Sequence, residues 1–293
     1  MLEIQRPRFT DLDERPDLGP DVLHLFRRFG PGRFHAVHGE PSRMGQEVTM
    51  ADLEQCLGLL ICLDDSERPA GALGICSYSE NQVTLWGPVI ANGHQGQSLG
   101  RALLVRAKEA LRDGGFESIR VLNDTRNRRG RNFYLSNGLS PWQDNHVYEH
   151  TFSNPPYPSC PGVSLAKHTD HQEVAGIIQS CFPESSHCDV SLSQREREEY
   201  RHYILQIGGD IIGVAAINGL RPRSWMSLYG IHPRFQGRGH GMQLLSGIIH
   251  HEHALGCRCL GLEVLANNRS AVRLYEKAGF MRRWTASILV GPL

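Results

Sequence analysis

The sequence predicts an α/β fold with a mixed sheet, built twice in tandem. Three observations carry this. First, the chain of 293 residues matches itself at an offset of 141: Gln95 meets Gln236, Gly96 meets Gly237, Gly100 meets Gly241, Asn127 meets Asn268, Tyr134 meets Tyr275 and Gly138 meets Gly279, without a gap. Self-similarity at one fixed period marks a duplicated unit, and the length suits two ordinary domains. Second, apolar stretches of strand type interleave with stretches of helical period. Third, residues 154–162 hold four prolines in nine positions. Proline fixes φ and removes a donor, so this stretch reads as a stiff linker. The expected domains are residues 1–153 and 163–293, joined by the linker 154–162.

The elements follow in order. In the first copy, strands are expected over 71–78 and 82–86, a helix over 101–112, a strand over 118–122 and a helix over 130–136. Residues 1–66 show no clear period, although 57–63 is the longest apolar run. In the second copy, a strand from Val163 leads to Asp170, which opens a helix over 171–182. Strands at 203–207 and 210–218 flank a Gly208-Gly209 turn. A strand at 225–231 is stopped by Pro233. A helix over 242–254, a strand over 258–264, a helix over 270–278 and a strand over 286–290 complete it.

Composition removes several functional classes. Apolar residues make up 40% and charged residues 21%, enough for packed cores. Lys+Arg and Asp+Glu are both 31, so the net charge is zero, which does not suit nonspecific nucleic-acid or membrane-surface binding. No apolar run is long enough for a transmembrane helix. The start has no apolar leader segment, and the eight cysteines lack scaffold spacing. These features suggest reduced thiols and a cytoplasmic setting.

The sharpest chemical signal is Gln236-Gly237-Arg238-Gly239-His240-Gly241-Met242, between a strand and a helix. Glycines let backbone amides converge, and a helix N-terminus adds a positive field, so the segment suits a pyrophosphate. It lacks the Lys-Ser/Thr of a P-loop and the spacing of a dinucleotide fingerprint. Some 27 residues later comes Asn268-x-x-Ala271-x-x-Leu274-Tyr275-x-x-x-Gly279-Phe280. Together, in this order, the two segments resemble the GNAT superfamily of acetyl-CoA-dependent N-acetyltransferases. The doubled arrangement is similar to the tandem GNAT proteins typified by mycothiol synthases.

The resemblance implies roles for this chain. The amides of Gly237 to Met242 would hold the CoA pyrophosphate. Gly230 and Ile231 would pair with the pantetheine arm, and one of their amides would polarise the thioester carbonyl. Asn268 would bond to the same arm. Tyr275 would protonate the departing thiolate. In the first copy Gln95, Gly96, Gly100, Asn127 and Tyr134 fall at matching positions for acetyl-CoA. The implied function is acetyl transfer to a primary amine, of a small molecule in the first reading. A protein N-terminus is the second reading, and a noncatalytic acyl-CoA-binding module is the alternative of another class.

The need for a base depends on the acceptor. Freeing the lone pair of a lysine-like amine at pH 7 costs ~4.6 kcal/mol, and of an α-amine only about 1 kcal/mol. Glu263, in Leu262-Glu263-Val264, is the candidate. Ribosomal-protein N-terminal acetyltransferases of this superfamily carry a catalytic glutamate in a similar Leu-Glu-Val strand. His232 is the alternative base. The first copy departs at three places: Ser98 replaces Gly239, Leu122 replaces Glu263 and Leu139 replaces Phe280.

Other clusters carry less. Arg126, Arg128, Arg129 and Arg131 could meet a phosphate, but read first as a solvated loop. His250, His253, Cys257 and Cys259 do not have a zinc-site pattern, so no metal is expected. Cys181 and Cys188 read as structural, and 195–201 as an exposed charged face.

Overall fold

The computed structural model describes residues 8–29, 48–152, 159–183, 192, 200–219 and 222–293. Most of the proline-rich segment, Cys188 and most of the charged stretch from 195 lie outside them. The chain divides into two contact units. Unit 1 takes Met1–Asp144 with Ala286–Leu293, and unit 2 takes Asn145–Thr285.

Unit 1 contains strands β1 (Arg8–Asp11), β2 (Gly58–Leu63), β3 (Pro69–Ser77), β4 (Gln82–Ile90) and β5 (Ser118–Asp124). Its helices are α1 (Gly19–Phe29), α2 (Met50–Glu54), α3 (Leu99–Asp113) and α4 (Arg128–Ser136). The strand β6 (Ser140–Thr151) runs from unit 1 into unit 2. Unit 2 contains β7 (Val163–Leu165), α5 (His171–Cys181), β8 (Arg201–Ile207), β9 (Asp210–Asn218), β10 (Arg223–Ile231), α6 (His240–Ala254), β11 (Cys259–Leu265) and α7 (Arg269–Lys277). The last strand, β12 (Met281–Pro292), returns to unit 1.

The offset of 141 carries through to element boundaries. β3 matches β9, β4 matches β10, α3 matches α6, β5 matches β11, α4 matches α7 and β6 matches β12, residue for residue. Both long helices begin two residues before their sequence-based start. The residues ahead of them, Ser98 and Gly239, adopt left-handed φ of 63° and 88° and so turn the chain into the helix early. They end alike: Gly115 and Gly256 take φ of 81° and 87°, and the next amides reach back to Leu111 and Glu252 carbonyls.

The sheets are built the same way. In unit 1, β1 to β4 pair antiparallel in sequence order, β4 pairs parallel with β5, and β5 pairs antiparallel with Ala286–Pro292. In unit 2, β7 to β10 pair antiparallel, β10 pairs parallel with β11, and β11 pairs antiparallel with Asn145–Thr151. Each unit's last strand position is therefore filled from the other half of the sequence. The expected final strand at 286–290 is the part of β12 that closes unit 1 rather than unit 2.

Unit 2 has a core on each face of its sheet. On one side Leu244, Leu245, Ile248 and Ile249 of α6 meet Leu260, Leu262 and Val264 of β11. On the other, Val174, Ile177 and Ile178 of α5 meet Val214, Ala216 and Leu228. The i, i+3, i+4 spacing on α5 places its three apolar residues on one stripe. No helix among the described residues is long and apolar enough to cross a membrane.

Candidate active site

The parallel pairing of β10 with β11 covers Arg223↔Cys259 to Met226↔Leu262 and then stops. A register shift at Ser227 turns β10, which stays paired to β9 through Ile231↔Gly213, while Glu263–Leu265 of β11 stay paired to β6. A bulge adds local twist and re-aims a strand. The two strands part here and leave a fork with unpaired backbone along β10.

Alternation identifies which backbone groups face the fork. His232 donates its amide to the Ile212 carbonyl, on the β9 side. Successive strand residues point opposite ways, so the Ile231 and Tyr229 amides point into the fork. Of the expected pair Gly230 and Ile231, Ile231 is the one placed to donate there. Gly230 answers a different demand: a Cβ at this position would lie 2.9 Å from Cys181 Sγ and 3.2 Å from a Phe182 ring carbon. The end of α5 therefore lies directly on β10, and burial pushes the Cys181 thiol up to about 11.

Below the fork lies the glycine loop. Gly237 and Gly239 hold φ of 76° and 88°, with open space where a Cβ would be, so conformation rather than room demands glycine. Gly239 caps α6, and no side chain caps the helix. The amides of Gly237, Arg238, Gly239, His240, Gly241 and Met242 have no hydrogen-bond partner among the described residues. Six consecutive free amides at the start of a fifteen-residue helix make an anion cradle. The residues present therefore fit a diphosphate. Gln236 does not point its amide at this cradle: Nε2 donates to the Ile231 carbonyl at 2.8 Å and ties the loop to the strand end. His240 Nδ1 sits 3.4 Å from Gln243 Oε1, and the Arg238 guanidinium lies 6.0 Å from the Phe235 ring centroid.

Tyr275 is buried at 5% exposure on α7, ringed by Tyr229, Tyr148 and Phe280 at centroid distances of 6.0, 6.5 and 5.7 Å. Burial pushes its phenol well above the ordinary tyrosine range. Its hydroxyl makes no hydrogen bond among the described residues. Tyr229, also raised by burial, instead gives its hydroxyl to the Gly241 carbonyl in the first turn of α6. Tyr148 donates to Glu276 and is pushed up to about 12 by burial and that carboxylate. Asn268 caps α7: its Oδ1 accepts from the Ala271 amide at 3.2 Å and from Ser270 Oγ at 2.9 Å, leaving Nδ2 for other work.

Glu263 is the first β11 residue beyond the fork. Leu260, Leu262 and Val264 face α6, so strand alternation puts Glu263 on the α5 side of the sheet, with Gly261 packed under Trp225. Its Oε1 accepts from Asn145 Nδ2 at 2.5 Å. His232 turns its Nδ1 to the Arg234 amide at 3.3 Å, capping a short turn.

Unit 1 repeats the frame. Gln95 Nε2 donates to the Ile90 carbonyl at 3.1 Å, Gly96 has φ of 81°, and Asn127 Oδ1 caps α4 through the Gly130 amide at 2.9 Å. Gly100 packs near Phe133 and Pro88. The chemistry differs. Tyr134 donates its hydroxyl to the Gly87 carbonyl, Pro88 stands where Tyr229 stands, and Leu122 where Glu263 stands. Sequence reasoning missed Asn145 and Tyr229, and Cys181, read as structural, packs against Gly230. The first reaches the site through pairing of β6 with β11, which has no local signature.

A forked parallel strand pair above a glycine-rich helix start, present twice, defines the class of fold: a tandem acyl-CoA transferase architecture. The chain belongs to the Acetyltransferase (GNAT) family of acetyl-CoA-dependent N-acetyltransferases, whose model matches residues 20–139 and again 171–280. Over 93 residues it is 34% identical to the spermine/spermidine N(1)-acetyltransferase of Bacillus subtilis, covering 27% of this chain and 60% of that relative. A mycothiol acetyltransferase of Propionibacterium freudenreichii is 40% identical over 60 residues, 20% of this chain and 19% of the relative. The matches thus span three fifths or less of these curated relatives. Two solved structures share the fold along nearly the whole chain. A GCN5-related N-acetyltransferase from Sphaerobacter thermophilus has a TM-score of 0.74 at 18% identity, covering 97% of this chain and 95% of that one. A tandem GNAT protein from the clavulanic acid biosynthesis pathway has 0.67 at 14% identity, with 98% of each chain covered.

Proposed function

We propose that unit 2 transfers an acetyl group from acetyl-CoA to a primary amine of a small molecule, by direct transfer with both substrates bound. The observation that supports this most is the fork: it puts a free Ile231 amide, the six-amide cradle, Tyr275 and Glu263 on one unit. The amides of Gly237 to Met242 would hold the pyrophosphate, and Nδ2 of Asn268 the pantetheine arm. Acetyl-CoA supplies the activated thioester. The Ile231 amide would hold the carbonyl oxygen as charge develops on it. Glu263 would take the acceptor's proton on the α5 face, and Tyr275 would give a proton to the departing thiol sulfur. The phenol carries its proton at neutral pH, as that role needs, while burial raises it and so makes it a weaker acid. The resemblance to a spermine/spermidine acetyltransferase favours an alkylamine acceptor over a protein N-terminus.

We assign unit 1 acetyl-CoA binding without turnover, through the cradle framed by Gln95, Gly96 and Gly100 with Asn127 and Tyr134. Leu122 cannot accept a proton. Calorimetry with acetyl-CoA, together with thiol release across a panel of primary amines that includes spermidine, tests both assignments. Two sites in wild type and one in Gly239→Val, with amine-dependent release lost, are expected. One site in wild type would reduce unit 1 to a scaffold. Tight binding without amine-dependent release would favour an acyl-CoA-binding module.

A further inference from the structure

Asn145 pairs with Leu265 in the β6–β11 register, on the strand face that carries Glu263. Its Nδ2 donates to Glu263 Oε1. A carboxylate only accepts, so the amide orientation follows: nitrogen toward Glu263 and oxygen away from it. That oxygen is buried and has no hydrogen-bond partner among the described residues. Leaving a buried acceptor unmade forfeits its hydration, so such a group needs an explanation. Both residues are half-buried as a whole and lie on the α5 face of the sheet, while Asn145 Oδ1 itself is enclosed.

We propose that Asn145 Oδ1 and the Glu263 carboxylate form the ammonium site of the acceptor. The inference rests on the transferase reading of unit 2. A primary alkylammonium brings three N–H donors. One proton passes to Glu263 and leaves the nitrogen its lone pair. A second N–H is held by Asn145 Oδ1, which fixes the direction of that lone pair. The nitrogen then bonds to the acetyl carbon as the carbon–sulfur bond breaks; the thiolate takes the Tyr275 proton, the new amide nitrogen gives up its second proton and so restores the phenol, and the proton on Glu263 leaves to solvent. Asn145 also orients Glu263 through Nδ2, so one residue serves both partners.

The test uses n-butylamine as the probe acceptor with the full chain. CoA release is followed across pH for wild type, Asn145→Ala, Asn145→Asp and Glu263→Gln, beside calorimetry of acetyl-CoA. Asn145→Ala should raise the n-butylamine KM about tenfold or more, as loss of a hydrogen bond to a charged group does, with acetyl-CoA affinity unchanged. Asn145→Asp has the same shape and keeps the acceptor oxygen. It should hold KM near wild type but move the onset of activity up by about one pH unit or more, because two carboxylates then share the site. A KM within about twofold of wild type in Asn145→Ala, with an unmoved pH profile in Asn145→Asp, overturns the proposal. Wild-type kcat in Glu263→Gln defeats the base reading alone and leaves the Asn145 result standing. Independently of turnover, n-butylammonium should shift the Asn145 side-chain amide resonance in the CoA-bound protein. A resonance that stays put at saturating amine overturns the ammonium site.

Discussion

From β3 and β9 onward, units 1 and 2 share their elements residue for residue and differ in the side chains that can move protons. In both, a glutamine ties the loop to the strand end, a left-handed residue starts the long helix, and an asparagine caps the short one. Unit 2 adds Glu263 and a Tyr275 hydroxyl that makes no hydrogen bond among the described residues. Unit 1 has Leu122, and its Tyr134 hydroxyl is already donated to Gly87. Pro88 also lacks the N–H that Tyr229 turns into the fork. The cradle is a property of backbone angles and survives many sequences. Proton transfer needs particular side chains and is lost with one substitution.

A second difference lies in the core. Glu252, 1% exposed, receives Arg201 through both nitrogens at 2.9 Å, Tyr203 at 2.9 Å and Ser224 at 2.7 Å. In unit 1 the matching positions are Leu111 for Glu252 and Val83 for Ser224. Leu59, opposite Gly74, stands where Tyr203 stands opposite Ala215. One unit fastens its long helix by a satisfied ionic network, the other by apolar packing.

Breaking the comparison should be easiest at the loop. Gly239→Val puts a β-branched side chain at φ of 88°, and should leave no measurable acetyl-CoA binding in unit 2 by calorimetry. Next in size, Tyr275→Phe should lower kcat by about 10²–10⁴-fold with little change in acetyl-CoA Kd, a split read by steady-state kinetics and calorimetry. Glu252→Ala should cost about 3 kcal/mol in denaturant unfolding, since it strands a partly buried arginine, whereas Leu111→Ala in unit 1 should cost about 2–4 kcal/mol through a cavity. A smaller effect concerns alkaline stability. Burial raises Tyr275 in the folded state, so its contribution is whole below about pH 10 and is lost as pH rises toward the folded value. Tyr275→Phe should therefore flatten the decline of Tm above that pH. Smallest, Ser98→Gly should stabilise unit 1 by about 1 kcal/mol or less, because Ser98 makes no capping bond and carries left-handed strain at φ of 63°.

Much of this was legible in the sequence, for a physical reason. Positions that need left-handed φ tolerate few residues, so Gly96/Gly237, Gly115/Gly256 and Gly138/Gly279 stood out in one register and carried the element order with them. The strand β6 was not legible: its tract Ser-Pro-Trp-Gln-Asp-Asn-His is polar and shows no strand period. Nor was the α5 end against Gly230, or Asn145 beside Glu263, since partners 118 positions apart meet only through strand register. The isolated run 57–63 proved to contain β2, whose residues are all buried or half-buried, so alternation is blurred because neither face is open to solvent.

The exchange of end strands bears on how the protein is made. A ribosome delivers Ser118–Asp124 early, yet the strand that pairs with its open edge, Ala286–Pro292, follows the whole of unit 2 in the sequence. Unit 1 therefore waits through the synthesis of all of unit 2 with the β5 edge unpaired, and an open strand edge is what recruits neighbouring chains. Translation through Ala286–Pro292 is what closes the first-made half, so a chain halted at Thr285 would carry its exposed edge in the half that was made earliest.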